Sequence, residues 1–246
     1  MGSLLKVTPA LAVVVGLLVA AGATVAWAGR LGHARAILGA CLRAALQLGA
    51  VSLVIAWVVG VPAGVGAFLL VMYGVASFTA GRRISRTHPW PAALPVAAGT
   101  FPVLALLFGS GVAPAQGVVI IPIAGILLGG CLTATALAGR RAVDELRVRK
   151  GEVEAALALG FLDRDAALEV CRPAAAQALV PALDQTRTVG LVTLPGAFVG
   201  MLLGGAEPLE AGIVQLVVLV ALLAAEAVAV LVTVELVARG SFRAER

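Results

Sequence analysis

The stretch Val118–Ala138, VVIIPIAGILLGGCLTATALA, holds 21 residues without a charge and is followed at once by Gly139–Lys150, GRRAVDELRVRK. At a rise of about 1.5 Å per residue such a run makes a helix of roughly 31 Å, the thickness of a bilayer's hydrocarbon core. A basic cluster straight after it marks the cytoplasmic face. Six further stretches read the same way: Thr8–Ala28, Arg43–Val61 (with a start as early as Ile37), Pro62–Ala80, Ala92–Phe108, Thr188–Gly204 and Gly212–Val237. The expectation is an all-α polytopic membrane protein. It has about seven transmembrane helices in one domain over residues 1–246.

Composition agrees. The 246 residues are 61% hydrophobic and 13% charged, with a mean hydropathy of +1.06. Soluble domains run near 45–50% apolar and about 25% charged, so an ordinary soluble domain is excluded. Disorder is excluded too, because its signature is the opposite one. The net charge of +5 does not point to nucleic acid, since aromatics are only 4% and the basic residues sit in short gaps between apolar runs. Cys41, Cys131 and Cys171 form no paired spacing and read as small buried hydrophobes.

The charges sort by alternate gaps. Arg30, His33 and Arg35 fill the first, Arg82, Arg83, Arg86 and His88 the third, and Gly139–Arg187 the fifth; the tail ends ARGSFRAER. The gaps between them, VGVPAG, GSGVAPAQG and GAEPLEAG, hold no Lys or Arg, and of the 18 basic residues only Lys6 falls on their side. By the positive-inside rule the N-terminus is outside and the C-terminus is in the cytoplasm. Trp27, Trp57 and Trp90 stand near span ends, as interfacial aromatics do. The first apolar run, which ends in the small-x-small triplet Ala26-Trp27-Ala28, is read as a retained helix. It is a full bilayer long and Arg30 and Arg35 follow it, which a cleaved signal does not require.

The fifth gap carries a sharper pattern. Its first part holds Glu145 and Arg149 at i, i+4, a pair that supports a helix. Glu154-Ala155-Ala156 then precedes Gly160, and Val170-x-x-Pro173 follows nine residues later. Small Ala155 and Ala156 allow close approach to a partner, and Gly160 can end a helix in the left-handed conformation. Asp163 is placed to cap the next helix. The spacing resembles the EAA loop of ABC-transporter permeases, a cytoplasmic helix-turn-helix that docks on the ATP-binding subunit.

LRAALQL at Leu42–Leu48, IIPIAGILLGG at Ile120–Gly130 and DQTRTVGLVTLPGAFVGMLLGGAEPLEAGIVQ at Asp184–Gln215 extend the likeness. Together they resemble the permease subunit of the bacterial iron-export ABC transporters, a family that includes plant aluminium-tolerance permeases linked to UDP-glucose. The chain departs from that pattern at Gly130, where relatives tend to have Asn, and at Val214, where they tend to have an aromatic. The resemblance implies an exporter of iron or a related metal in a bacterial inner (plasma) membrane. It implies two permeases paired with two ATPase subunits, which bind the ATP-Mg.

The residues themselves supply no ATP site. Lys occurs only at 6 and 150, so no Walker A sequence is possible. His33 and His88 stand alone in separate loops, and neither a metal cage nor a nucleophile–base set is visible; this chain is expected to bind no cofactor and to be no enzyme. Gly125 and Gly129 share one helix face, as do Gly196, Gly200 and Gly204; such faces let helices pack closely in lipid, within the chain or between two copies, the former being favoured. Pro122 and Pro195 each free a carbonyl inside a span and are read as bending points. Glu226 lies mid-span, where a charge costs about 2.5–3.5 kcal/mol, and it marks a cation pathway or a neutral packing residue. Arg43 and Gln47 share a face of the second span and, with Gln215, complete the candidate pathway set, while Asp184 and Arg187 could pair or touch the ATPase. The rival reading is an ion-gradient carrier with Glu226 as its coupling acid; ABC export of another substrate, such as a nucleotide sugar, also stays open.

Overall fold

A computed structural model describes residues 8–242, so Lys6 and the last four residues of the basic tail lie outside the described part. Within it every regular element is helical, apart from one isolated bridge between Val189 and Thr193. The chain divides into two compact units, Met1–Gly60 and Val61–Arg246.

The first unit is a helical hairpin. Pro9 opens α1 (Pro9–Ala28) at a position where its missing N–H costs nothing. The chain turns over Gly29–His33, with Arg30 and Gly32 at positive φ, and continues as α2 (Ala34–Gly60). Gly22 brings α1 close to Ile37 of α2. Trp27 is exposed at the end of α1, as an interfacial ring requires, while the Trp57 side chain lies outside what the structure describes. Cys41 is exposed, unlike the buried Cys131 and Cys171, because its stretch of α2 turns no face inward.

The second unit holds α3 (Pro62–Ile84), α4 (Ala93–Gly109) after a 3-10 turn at Trp90–Ala92, and α5 (Gly117–Val148). There follow α6 (Lys150–Ala158), α7 (Asp163–Ala176), a 3-10 turn at Gln177–Leu179, α8 (Val180–Thr188), α9 (Gly196–Leu203) and α10 (Pro208–Ala238). Its core is rich in alanine: Ala80, Ala92, Ala124, Ala138, Ala142, Ala175, Ala225 and Ala229 are wholly buried. Small side chains let helix axes come close where lipid offers no hydrophobic drive to assemble them. Met72 meets Gly125 and Ile84 meets Gly139, so α3 and α5 run in the same direction.

Among the described residues six helices are long and apolar enough to cross a membrane: α1, α2, α3, α4 with its leading turn, α5 and α10. The chain is a multi-pass membrane protein, and the expected continuous span at Thr188–Gly204 is absent. There α8 ends, Val189 is extended, Gly190 takes a φ of +83°, and the Thr188 carbonyl accepts amides from Leu191, Val192 and Thr193. Pro195 holds Leu194 out of the helical region, and it starts the eight-residue α9 as N-cap rather than bending a helix. An apolar run is thus broken by turn chemistry that hydropathy does not register.

Two other expectations change. Helix α5 runs ten residues past the apolar stretch, because Arg, Ala, Glu and Leu there are good helix formers. Further along the fifth gap, Ala166, Ala167, Leu168, Val170, Cys171 and Ala175 bury one face of α7. Leu162, not Asp163, is the N-cap of that helix, and no side chain caps it. Asp163 and Asp165 instead stand in the first turn, where negative charge suits the helix dipole.

Candidate functional site

The hairpin of α6 and α7 is built by its turn. Gly160 sits at φ +93°, with its amide on the Leu157 carbonyl and the Phe161 amide on the Ala156 carbonyl. That pair of bonds is a Schellman ending, and it needs a residue without a β-carbon at Gly160. No residue of α6 is buried. Glu154 is paired at 3.3 Å with Lys150, and Ala155 beside it is exposed. Leu159 at 80% and Leu162 at 72% stand open to solvent beside the exposed Phe161, an apolar tip on an otherwise charged hairpin. Pro173 lies inside α7 on its exposed side.

The root of α6 is clasped. Arg149, the non-helical residue between α5 and α6, reaches Glu145 at 3.1 Å and also holds Glu152. The guanidinium of Arg149 keeps the Glu152 carboxyl below its usual range, and the bonds to Glu152 and Glu145 raise Arg149 itself.

Helix α7 ties this hairpin to the membrane part. Arg164 forks onto Glu235 of α10 with bonds of 2.6 and 2.8 Å, and Arg239 reaches the same carboxylate at 2.6 Å. Ala176 and Leu179, at the other end, share with Ala227 the wall of a cavity of about 270 Å³, so α7 and α10 run antiparallel. Arg141 of α5 donates to Gln177 at 3.1 Å. Asp184 and Arg187 pair with each other at 3.4 Å.

Inside the apolar part, Glu226 is 7% exposed, and its Oε1 lies 2.6 Å from where a β-carbon at Gly130 would stand. Gln215, eleven residues earlier on α10, is buried with its Oε1 unbonded, beside a small cavity lined by Val189, Pro195 and Phe198. Met72 packs on Gly125, whereas nothing of the second unit approaches Gly129, Gly196 or Gly200, and Gly204 faces its own preceding turn. The packing expected on the second glycine face is therefore not made within the second unit. Pro122 lies within α5 on its exposed side. Arg43 and Gln47 are exposed on α2 in the first unit. Sequence reading missed Ser77, Thr100 and Thr135, three fully or almost fully buried hydroxyls, of which Ser77 and Thr135 have no bonding partner and Thr100 has only the Cys131 thiol beside it. The available signal was faint, a lone small polar residue in each apolar run.

A family model described as "Uncharacterised protein family (UPF0014)" matches residues 9–242. The chain belongs to this family. Among UPF0014 relatives, "UPF0014 membrane protein STAR2" of Oryza sativa subsp. japonica is 37% identical over 81% of this chain and 71% of its own length. "Protein ALUMINUM SENSITIVE 3" of Arabidopsis thaliana is 42% identical over 61% of this chain and 56% of its own length. "Probable iron export permease protein FetB" of Escherichia coli (strain K12) is 33% identical over 48% of this chain and 45% of its own length. The last two names are of the two kinds to which the sequence resemblance points. No solved structure matches.

Proposed function

We propose that this UPF0014 protein is the permease subunit of an ABC-type exporter, driven by a separate ATP-binding subunit that docks on the α6–α7 hairpin. The observation that carries the reading is the tip at Leu159, Phe161 and Leu162. Apolar side chains exposed on a charged, membrane-attached hairpin have no use in water and suit a groove on another protein. Glu154, Ala155, Ala156 and Gly160 present α6 to that groove, and Pro173 belongs to the helix that anchors it. The ATP-Mg belongs to the partner, and this chain carries out no reaction of its own.

Force reaches the bundle through α7. Its buried face lies on the core, and Arg164 is bonded to α10 nine residues below Glu226. A movement of the tip therefore displaces α10 and the side chains it holds. The basic ends of α3, α5 and α10 face the cytoplasm in this reading, with the N-terminus outside, and the broken segment α8–α9 makes the seventh crossing. A bacterial inner membrane and a pairing of two permeases complete it. Iron or a related metal is the proposed cargo, on the strength of one relative's name; Gln215 and Glu226 are the proposed pathway residues of the second unit, and Arg43 and Gln47 those of the first. Pro122 and Pro195 flank the elements that rearrange, and the glycines of α5 and α9 supply the close-packing faces.

The burial of Glu226 favours a second reading, a carrier driven by an ion gradient without an ATPase. Co-purification with an ATP-binding subunit, followed by ATP turnover in lipid, separates the two. Permease-stimulated turnover that collapses in Phe161→Asp supports the ABC reading, and wild-type transport without any associated ATPase overturns it.

A further inference from the structure

Six buried polar side chains are found among the described residues, and four of them fall in one layer. Gly99 and Thr100 of α4 meet α5 and α10 where a β-carbon at Gly99 would lie 2.8 Å from Cys131 Sγ and 2.4 Å from the Ala225 carbonyl oxygen. Glu226 follows Ala225 and its Oε1 faces Gly130, the neighbour of Cys131, so thiol and carboxyl both lie at this crossing, with the Thr100 hydroxyl beside the thiol. Thr135 lies one turn along α5 on the face of Cys131. From the contacts of Met72 with Gly125 and of Ile84 with Gly139, Ser77 of α3 is level with Cys131.

These hydroxyls are unusual. Thr133, Thr186, Thr188 and Thr233 each donate to the carbonyl four residues back, the ordinary resting place of a helical threonine. Thr135 and Ser77 are buried without a hydrogen-bond partner, and Thr100 has none but the Cys131 thiol beside it. Buried polar groups are nearly always satisfied, so two orphan hydroxyls in the layer of an unpaired carboxyl and a thiol call for a ligand.

We infer that the crossing of α4, α5 and α10 is a transit site for a divalent transition-metal ion, held by Glu226 and the Cys131 thiolate with oxygens from Thr100 and Thr135. The inference rests on the exporter reading for the word transit. Two negative ligands balance a charge of +2, and a neutral complex is the one that a low-dielectric interior tolerates. One sulfur with hard oxygens suits the first-row transition metals better than Ca²⁺ or Mg²⁺. On binding, the thiol proton, and that of Glu226 where it is held, leaves to solvent as the metal bond forms. No three of His, Cys, Asp and Glu gather among the described residues, and a site with only two anchoring ligands can release its ion, as transport requires. Thr100 is seven residues from the start of α4 and Ser77 seven from the end of α3, which puts the layer about 10 Å from the ends bearing Arg82 and Arg83.

The test is a Co²⁺ titration of the full chain in detergent, with Cys41→Ser and Cys171→Ala so that Cys131 is the sole thiol. A thiolate-to-cobalt charge-transfer band is expected, lost in Cys131→Ala. Its midpoint should rise about tenfold or more in Glu226→Gln and severalfold in Thr135→Val. Both variants are near-isosteric, and each is read only where it elutes as the parent does. No band in the parent, or an unmoved midpoint in both variants, overturns the site. ATPase stimulation in the same preparations keeps the readings apart. Normal stimulation without a cobalt band discards the site alone, whereas a band without any stimulation discards the exporter alone.

Discussion

Arg164 at the start of α7 grips Glu235 near the end of α10 through two bonds in parallel, across 71 residues of sequence. It joins the α6–α7 hairpin to the helix that carries Glu226. Both partners are partly solvated, so the pair contributes little to stability by itself. What it fixes is register. In the Glu235→Gln variant, thermal stability in detergent should move by no more than a few degrees, while permease-stimulated ATP turnover falls severalfold. The exchange Arg164→Glu with Glu235→Arg should restore part of that turnover, and failure of the double variant to exceed either single one refutes the coupling.

The apolar tip should behave as an interface and not as core. Leu159→Asp, Phe161→Asp and Leu162→Asp each replace an exposed side chain, so the isolated permease should fold and elute unchanged. Retention of the ATPase subunit on an affinity-tagged permease should fall at least tenfold for Phe161→Asp, an aromatic being the usual anchor of such a contact. Undiminished retention in all three variants would place the docking surface elsewhere.

The clasp at the root of α6 gives a pH dependence with a definite sign. Arg149 depresses the Glu152 carboxyl, so the pairing is fully formed above the ordinary glutamate value of about 4.3 and is lost as pH falls through the lower folded value. Arg149 stays charged throughout. Amide protection in Lys150–Ala158, corrected for intrinsic exchange rates, should be flat from about pH 7 to 5 and decline below. In Glu152→Gln the protection should be lower at neutral pH and independent of acid, and a wild-type decline that survives this change would assign the effect to another group.

The six long apolar helices among the described residues and the hairpin were legible because each rests on a signal that sequence carries locally. Uncharged runs gave the spans, and the spacing from Ala156 to Gly160 gave the turn. The broken stretch at Thr188–Gly204 was not legible, since Gly190 and Pro195 sit in a run whose hydropathy matches that of a true span. The buried face of α7 was masked by its charged face, and its partners on α5 and α10 are distant in sequence. Thr100 and Thr135 look like ordinary helical threonines until the tertiary crossing shows that neither bonds to its own helix. Glu226 announced itself by charge, but Gly130, which makes room for it, did not.

Two glycines of similar appearance in the sequence should respond in opposite ways to the same change. At Gly99 a β-carbon would stand 2.4 Å from a backbone oxygen of α10, which cannot rotate away as a side chain could. Gly99→Ala must therefore push α4 from α10 and should destabilise the unit by about 1–3 kcal/mol, with a lowered melting temperature in detergent and the cobalt response weakened along with it. At Gly200 nothing of the second unit lies within 4 Å of the added carbon, so Gly200→Ala should be neutral, or stabilising by up to about 1 kcal/mol through helix propensity alone. Melting curves of the two variants decide it. A Gly200→Ala variant that melts as low as Gly99→Ala would mean that the open face of α9 is in fact occupied.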